Sequence, residues 1–197
     1  MLAPRCGVLE EQRLDPSRHN RKAFRCGVET LDRFLAQQAG QNRRRGFGET
    51  FVLEDAADRA KILGFYTLAP AQVERVALQP DDAAPLPPYP VPCFRMGRLA
   101  LDLSCRGQGL GSLLLALAVE RCLEVRQSIG GYALLVDAKD EPAAQFYAHH
   151  GFHRLKDSPR SLYLPLGPQT TSGVRPGGSR GSAAPWRQVL AKGCGQP

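Results

Sequence analysis

The stretch that decides the fold is Arg106-Gly107-Gln108-Gly109-Leu110-Gly111. It follows a strand-like run, FRMGRLALDL at 94–103, and precedes SLLLALAVERCLEVRQ at 112–127, the strongest helical pattern in the chain. A helix that begins after such a turn has N–H groups without intrahelical partners, and its dipole adds about half a positive charge there. Glycine lets an anionic group approach that backbone closely. The stretch therefore predicts a site for a phosphate-bearing ligand.

Three loop chemistries compete for these glycines. A P-loop requires GxxxxGK[ST], and no such pattern is present. A dinucleotide fingerprint requires GxGxxG in an early βαβ unit, but Ser112 stands at its third glycine position. The acyl-CoA pyrophosphate loop, [Arg/Gln]-x-x-Gly-x-[Gly/Ala], fits Arg106, Gly109 and Gly111. A tight turn without a ligand fits the same residues, so the choice between a ligand-binding loop and a simple turn depends on the surrounding elements.

The surrounding patterns predict a mixed α/β chain, layered as in α+β folds, with one central sheet. Apolar spacing predicts a helix over about 28–45, and a second helix begins at the N-cap residue Asp140 and ends at Gly151. The five prolines of 85–92 predict an extended loop, and residues 1–20 are poorly patterned. Besides 94–103, strands are predicted at 49–55, 61–69, 132–138, 152–155 and 161–166.

Composition excludes several classes of protein. The 197 residues are 43% hydrophobic, which suits one globular domain, predicted here over 1–166. No apolar run approaches the roughly 18 residues of a membrane span, and acids stand where a signal peptide would be apolar. The six cysteines are scattered, which indicates reduced thiols in a cytoplasmic protein. No metal site is predicted.

Charge is unevenly distributed along the chain, whose formal net charge is +7. Residues 167–197 are rich in Gly, Pro and Ser and contain no acid, so we predict a disordered basic tail. Between residues 21 and 45, seven Arg and Lys residues stand against Glu29 and Asp32. Such a segment favours a polyanion, although a solvated basic face has the same composition.

The order of these elements resembles the GNAT acetyltransferase superfamily over about 20–166, and in particular its toxins from bacterial toxin–antitoxin pairs. The glycine loop supplies the first point of similarity. The remaining segments that carry it are Phe24-x-Cys26-Gly27-x-x-x-Leu31-Asp32-x-Phe34-Leu35, Thr50-Phe51-Val52, Gly64-Phe65-Tyr66-Thr67-Leu68, Tyr89-Pro90-Val91-Pro92, Gly97-Arg98-Leu99-Ala100-Leu101-Asp102, Val136-Asp137-Ala138 and Phe146-Tyr147-x-x-x-Gly151-Phe152.

The resemblance implies the GNAT fold, a central mixed sheet flanked by helices, and acetyl-CoA as acetyl donor. It implies acetylation of the α-amino group of aminoacyl-tRNA, which blocks translation, and a ribbon-helix-helix antitoxin as partner. A homodimer is a further expectation from such proteins. It also assigns the acetyl-CoA contacts to residues of one strand and the glycine loop: Leu99, Ala100, Leu101, Arg106, Gly107, Gln108, Gly109, Leu110, Gly111 and Ser112.

The resemblance also places the catalytic tyrosine at Tyr147. A phenol with a pKa of about 10 is protonated at pH 7 and can donate a proton to a leaving thiolate. Spacing alone favours a different interpretation, because Ala143, Phe146, Tyr147 and His150 form an ordinary core stripe.

The basic residues are assigned to tRNA contacts only as candidates, and surface solvation remains the alternative for each. The candidates are Arg21, Lys22, Arg43, Arg44, Arg45, Arg95 and Arg98. Two other functions stay open: a GNAT enzyme for a small amine or a protein N-terminus, and a catalytically silent acyl-CoA-binding or RNA-binding module. The first gives no role to the basic segment, and the second gives none to Tyr147.

Overall fold

The computed structural model describes residues 8–167. Seven strands are hydrogen-bonded in the order β1-β2-β3-β4-β5-β7-β6. They are β1 (Leu9–Arg13), β2 (Glu49–Asp55), β3 (Asp58–Val73), β4 (Val91–Leu101), β5 (Ala133–Asp137), β6 (His153–Arg154) and β7 (Ser161–Pro165). The α-helices are α1 (Glu29–Arg33), α2 (Ala39–Arg44), α3 (Pro80–Ala83), α4 (Leu110–Ile129) and α5 (Glu141–His149).

This architecture confirms the mixed layered fold. Strands β1, β2 and β3 form an antiparallel meander, and β5, β7 and β6 are also joined by antiparallel pairing. Helix α4 lies between β4 and β5 in the chain. The described residues contain no helix long and apolar enough to cross a membrane.

Strand β1 corrects the prediction for residues 1–20. Its sequence, LEEQR, lacks the apolar alternation that marks a strand. The strand forms because its backbone pairs with β2 over all five residues. Its acids are also engaged, since Glu11 accepts a hydrogen bond from the Tyr66 hydroxyl and Glu10 pairs with Arg59 at 3.0 Å. These partners are distant in sequence, so local patterning gave no signal.

The predicted helix over 28–45 is continuous from α1 to α2, but its centre is not α-helical. Residues Phe34–Gln38 form a π-helical turn between the two segments. Phe34 and Leu35, the apolar residues of that turn, are buried. Periodicity did not reveal this insertion, because the α-helical segments on either side have only 5 and 6 residues and are too short to show a change of phase.

The described residues form two compact units: 8–69 with Met96–Leu117, and Pro70–Arg95 with 118–167. The first unit has a core built from α1, the π-helical turn, β2 and β3, in which Phe65 lies 5.4 Å from Phe24 and 6.2 Å from Phe34. The second unit has its own core around Leu78, Ala133 and Tyr163. Each unit therefore buries an apolar face of its own.

A buried polar cluster also stabilises the first unit, and sequence analysis did not identify it. The carboxylate of Glu54 is fully buried and lies 2.8 Å from both His19 Nε2 and Arg18 Nη2. The backbone N–H of Asp15 donates to His19 Nδ1, so the ring proton is on Nε2 and points to Glu54. The cluster compensates the buried carboxylate with hydrogen bonds.

Candidate active site

The glycine loop adopts a backbone conformation that only glycine accepts readily. Gly107 and Gly109 both have φ of +75°. A Cβ added at either position meets nothing within 4 Å, so conformation rather than space selects glycine. The carbonyl oxygen of Gly109 accepts hydrogen bonds from the N–H groups of Ser112 (3.1 Å) and Leu113 (3.4 Å), which begins α4.

The loop is attached to β4 through a short 3-10 turn, Leu103–Cys105. Asp102 caps that turn by accepting from the N–H (3.0 Å) and the hydroxyl (2.6 Å) of Ser104. It also accepts from the N–H of Arg25 at 3.0 Å. Burial raises the pKa of Asp102, but these hydrogen bonds outweigh it, so the net shift is downward. The carboxylate stays ionised and fixes the entry to the loop.

Arg106 holds the loop in position, a role that the sequence pattern did not reveal. Its guanidinium donates to the carbonyl oxygen of Cys26. It also lies beside Gly27, where an added Cβ would be 3.3 Å from Nη2 of Arg106. The side chain therefore ties the loop to the segment that precedes α1. The Cys26 N–H in turn donates to Asp32 at 2.8 Å, so this anchor is itself fixed.

The loop meets the requirements of an anion site. Residues 106–109 are exposed, so a ligand can reach their backbone. Helix α4 has 20 residues, and the N–H groups of Leu110 and Gly111 lie at its start, where helical N–H groups lack intrahelical partners. Both the open space at the glycines and the helix dipole suit the pyrophosphate of an acyl-CoA.

Strand β4 lies beside the loop and is held close to β3. Ala100 is buried in the core of the first unit, whereas Leu99 and Leu101 are half-buried. A Cβ on Gly64 would lie 2.6 Å from Leu114 Cδ1 and 3.0 Å from the Ala100 carbonyl oxygen. Gly64 therefore permits the close approach of β3, β4 and α4. This packing explains why glycine stands at position 64, which the sequence pattern alone did not.

Tyr147 belongs to the second unit and lies on α5. Asp140 caps this helix through its side chain, which accepts from the N–H of Ala143 at 2.9 Å, as predicted. The half-buried phenol ring lies 5.3 Å from Phe146 and 5.5 Å from Phe152. Among residues 8–167 its hydroxyl has no hydrogen-bond partner. Burial raises the pKa of Tyr147 to about 12, so the phenol is protonated at neutral pH.

The basic candidates divide into engaged and unengaged side chains. Arg95 pairs with Asp137, Arg98 stacks on Phe34 with its guanidinium 3.7 Å from the ring centre, and Arg43 pairs with Glu49 at 3.4 Å. Burial lowers the pKa of Arg98. Arg44, Arg45 and Lys22 are exposed, Arg21 is half-buried, and none of these four has an ion-pair partner in the part of the chain that the structure describes.

The structure thus brings the loop and Leu99–Leu101 together in the first unit, and Arg43–Arg45 lie in that unit as well. The carbonyl of Cys26 and the carboxylate of Asp102 are further elements of the site that sequence analysis had not assigned a role there. The predicted tail at 167–197 lies outside the described residues from residue 168 onward.

Comparison with known proteins gives a consistent set of relatives. The family model for the acetyltransferase (GNAT) domain matches residues 46–154. A "tRNA-acetylating toxin" of Mycobacterium tuberculosis is 36% identical over 142 residues, which are 72% of this chain and 83% of the relative.

Two solved structures of the toxin AtaT are similar along most of the chain. The complex of AtaT with acetyl-methionyl-tRNAfMet has a TM-score of 0.75 and 29% identity, and covers 80% of this chain and 94% of its own. A tyrosine-to-phenylalanine mutant of AtaT, bound to acetyl-CoA and to the C-terminus of the antitoxin AtaR, has a TM-score of 0.69 and 27% identity. The match covers 81% of this chain and 94% of the AtaT chain.

Proposed function

We infer that this chain, which belongs to the GNAT acetyltransferase family, transfers acetyl from acetyl-CoA to the α-amino group of aminoacyl-tRNA. Acetylation removes the nucleophile that peptide-bond formation needs, so the product cannot enter translation as an acceptor. The chain therefore acts as the toxin of a toxin–antitoxin pair. The observation that carries this inference is the 36% identity to a tRNA-acetylating toxin.

The glycine loop supports the choice of donor. The backbone N–H groups of Gly107–Gly111 hold the pyrophosphate of acetyl-CoA, with Ser112 next to them in the first turn of α4, and Arg106 keeps the loop in position through Cys26. An acyl-CoA supplies an acetyl group activated as a thioester. The AtaT structure with bound acetyl-CoA supports the same donor for this chain.

Strand β4 supplies the groups that act on the thioester carbonyl. Backbone N–H groups of Leu99, Ala100 and Leu101 polarise the carbonyl oxygen and stabilise the negative charge that develops on it. The packing around Gly64 holds this part of the strand against β3 and α4, so these donors need little reorganisation. An aminoacyl ester carries an α-amine with a pKa near or below about 8, so much of it is neutral at physiological pH.

Tyr147 is the general acid of this proposal. Transfer breaks the bond between the acetyl carbon and sulfur, forms the bond from that carbon to the amine nitrogen, and leaves a thiolate that takes a proton. The protonated phenol of Tyr147 donates it, and its pKa of about 12 ensures that the proton is present. The nitrogen releases one proton to solvent, and the general acid regains its own proton from solvent.

Basic side chains and a protein partner complete the proposal. Arg44 and Arg45, with Arg21 and Lys22, contact tRNA phosphates, while the guanidinium groups of Arg43, Arg95 and Arg98 are each held by a partner of their own. The AtaT complex with the antitoxin AtaR supports an antitoxin partner for this chain, and we propose that it is a ribbon-helix-helix protein. The chain works as a homodimer in the cytoplasm, where aminoacyl-tRNA is available.

Transfer of radiolabelled acetyl from acetyl-CoA tests this function. Purified protein is offered charged total tRNA, uncharged tRNA and a panel of small amines, with Tyr147→Phe run in parallel. We expect label on charged tRNA alone and its loss in the variant. Label on a small amine with charged tRNA untouched would instead support the alternative GNAT enzyme. Full activity of the variant would remove Tyr147 from the mechanism.

A further inference from the structure

An exposed aromatic ring at the end of α2 has no role in the fold. Phe47 is 68% exposed and follows the arginine run Arg43–Arg45 after a single glycine. Isolated apolar side chains on a surface are ordinary. This one differs because it stands directly after two arginines, Arg44 and Arg45, that pair with no acid among residues 8–167.

The backbone of Phe47 is held rigidly. Its N–H donates to the carbonyl oxygen of Asn42 at 3.0 Å, and the N–H of Gly46 donates to the carbonyl oxygen of Arg43 at 3.0 Å. Gly46 has φ of +72° and Gly48 has φ of +146°. A Cβ on Gly48 would lie 2.6 Å from the carbonyl oxygen of Leu68, so the turn packs closely against β3 at Leu68. The ring is therefore carried by a hydrogen-bonded turn that packs against β3.

A cavity adjoins the same arginines. Its volume is about 320 Å³, and Arg43 and Arg44 line it together with Leu14, Gly40 and Thr50. Glu49 also lines the cavity, but its carboxylate is neutralised by Arg13 and Arg43, each at 3.4 Å. The concave surface that Arg43 and Arg44 line, a few residues before Phe47 in the chain, is thus basic and suits an anionic strand.

We propose that Phe47 is a stacking platform for an unpaired base of the tRNA, with Arg44 and Arg45 on the adjoining phosphates. A base has a flat face that stacks on an aromatic ring, and arginines beside the ring bind the backbone that carries the base. Bases inside a duplex are stacked on both faces, whereas an unpaired base has a face free for the ring, so the platform favours a single-stranded part of the tRNA. This inference rests on the proposed function and adds a specificity-determining residue to it.

Fluorescence and binding measurements test the stacking directly. Phe47→Trp is made in a Trp186→Phe background, because Trp186 is the only tryptophan of the chain. We expect deacylated total tRNA to quench the new tryptophan strongly, and a long blunt-ended RNA duplex, which offers only its two terminal base pairs, to quench it much less than the same duplex with a single-stranded 3′ end. In filter binding, Phe47→Ala and Phe47→Leu should each weaken tRNA affinity about tenfold, and Phe47→Tyr should keep it.

Controls separate this inference from the proposed function. Tyr89→Ala removes an equally accessible aromatic ring, 61% exposed, that lies outside the arginine run, and should keep tRNA affinity. Unquenched tryptophan with wild-type affinity in Phe47→Leu would overturn the platform, even where the wild-type protein acetylates charged tRNA. Wild-type tRNA affinity in Phe47→Ala combined with loss of neutralisation by a co-expressed antitoxin would also overturn it, and would assign the ring to the protein partner. Failure of the wild-type protein to acetylate charged tRNA would refute the function itself.

Discussion

The guanidinium of Arg106 donates a hydrogen bond to the backbone carbonyl oxygen of Cys26, a residue 80 positions earlier in the chain. The first residue of the acyl-CoA loop pattern is therefore occupied with positioning the loop. The bond joins the segment before α1 to the turn that begins α4, so it links two parts of the candidate site within the first unit.

This contact predicts a binding defect for Arg106→Ala. We expect the KM for acetyl-CoA to rise about tenfold while kcat changes little, because the variant loosens the loop but leaves the reacting groups in place. Steady-state kinetics with charged tRNA held constant measure the two parameters. Arg121→Ala, which removes an arginine paired with Glu124 on α4, is the matched control. An equal fall in kcat would contradict a purely positioning role.

Replacement of Gly109 tests the anion site itself. Gly109→Glu should abolish acetyl-CoA binding, because its carboxylate would stand where the pyrophosphate binds and would repel it. Gly109→Ala separates charge from conformation: its φ of +75° costs about 1–2 kcal/mol of stability in any non-glycine residue, but a methyl group meets no atom within 4 Å. Calorimetric titration with acetyl-CoA should show weak or absent binding for the first variant and retained binding for the second. Unchanged affinity in Gly109→Glu would show that the pyrophosphate binds elsewhere.

The raised pKa of Tyr147 predicts the pH dependence of the reaction. Because burial raises the pKa to about 12, the acid form is complete at neutral pH and is lost only as the pH rises toward that value. The kcat profile should therefore show no alkaline fall due to Tyr147 between about pH 7 and pH 10.

Removal of the Tyr147 hydroxyl should lower kcat about 10²–10⁴-fold, the range for a general acid, and should leave the KM for acetyl-CoA nearly unchanged. Single-turnover acetylation by Tyr147→Phe measures this loss. Tyr89→Phe removes an exposed hydroxyl and is expected to match the wild-type rate. A Tyr147→Phe enzyme with wild-type kcat would show that another group protonates the thiolate.

The division of the arginines predicts two different phenotypes. Arg44→Gln and Arg45→Gln should each reduce the slope of log affinity for tRNA against log salt by about 1, as the loss of one phosphate contact does. Arg98→Gln should instead lower the free energy of unfolding by about 0.5–1 kcal/mol, because it loses the stacking on Phe34. Filter binding over a salt series and urea denaturation distinguish the two effects. An unchanged salt slope in both Arg44→Gln and Arg45→Gln would place tRNA on another surface.

The strands and helices with strong periodicity were predictable, and the irregular ones were not. The prediction for 49–55 matches β2, and the helix predicted after the glycine loop is α4 with two residues added at each end. The π-helical turn at Phe34–Gln38 and strand β1 were missed. The first depends on how the helix packs over the core, and the second on pairing with β2 and on contacts from Tyr66 and Arg59.

The candidate site divides in the same way. The glycine pattern, the N-cap at Asp140 and the tyrosine at 147 are local features, because turn conformation and helix capping depend on residues a few positions apart. Which arginines are engaged is not local: Arg95 pairs with Asp137 on β5, and Arg98 stacks on a ring of the π-helical turn. No spacing rule relates those residues, so charge counting gave the same prediction for all of them.

The sequence by itself therefore determined the order of the strongly periodic elements, the glycine loop and the family to which the chain belongs, since each depends on short-range hydrogen bonding, periodicity or motif order. Only the tertiary structure decided that Arg106 holds the loop through Cys26, that Gly64 permits the close packing of β4, and that Glu54 is buried against His19. These contacts join residues far apart in the chain, and their energies depend on burial and distance, which exist only once the chain has folded.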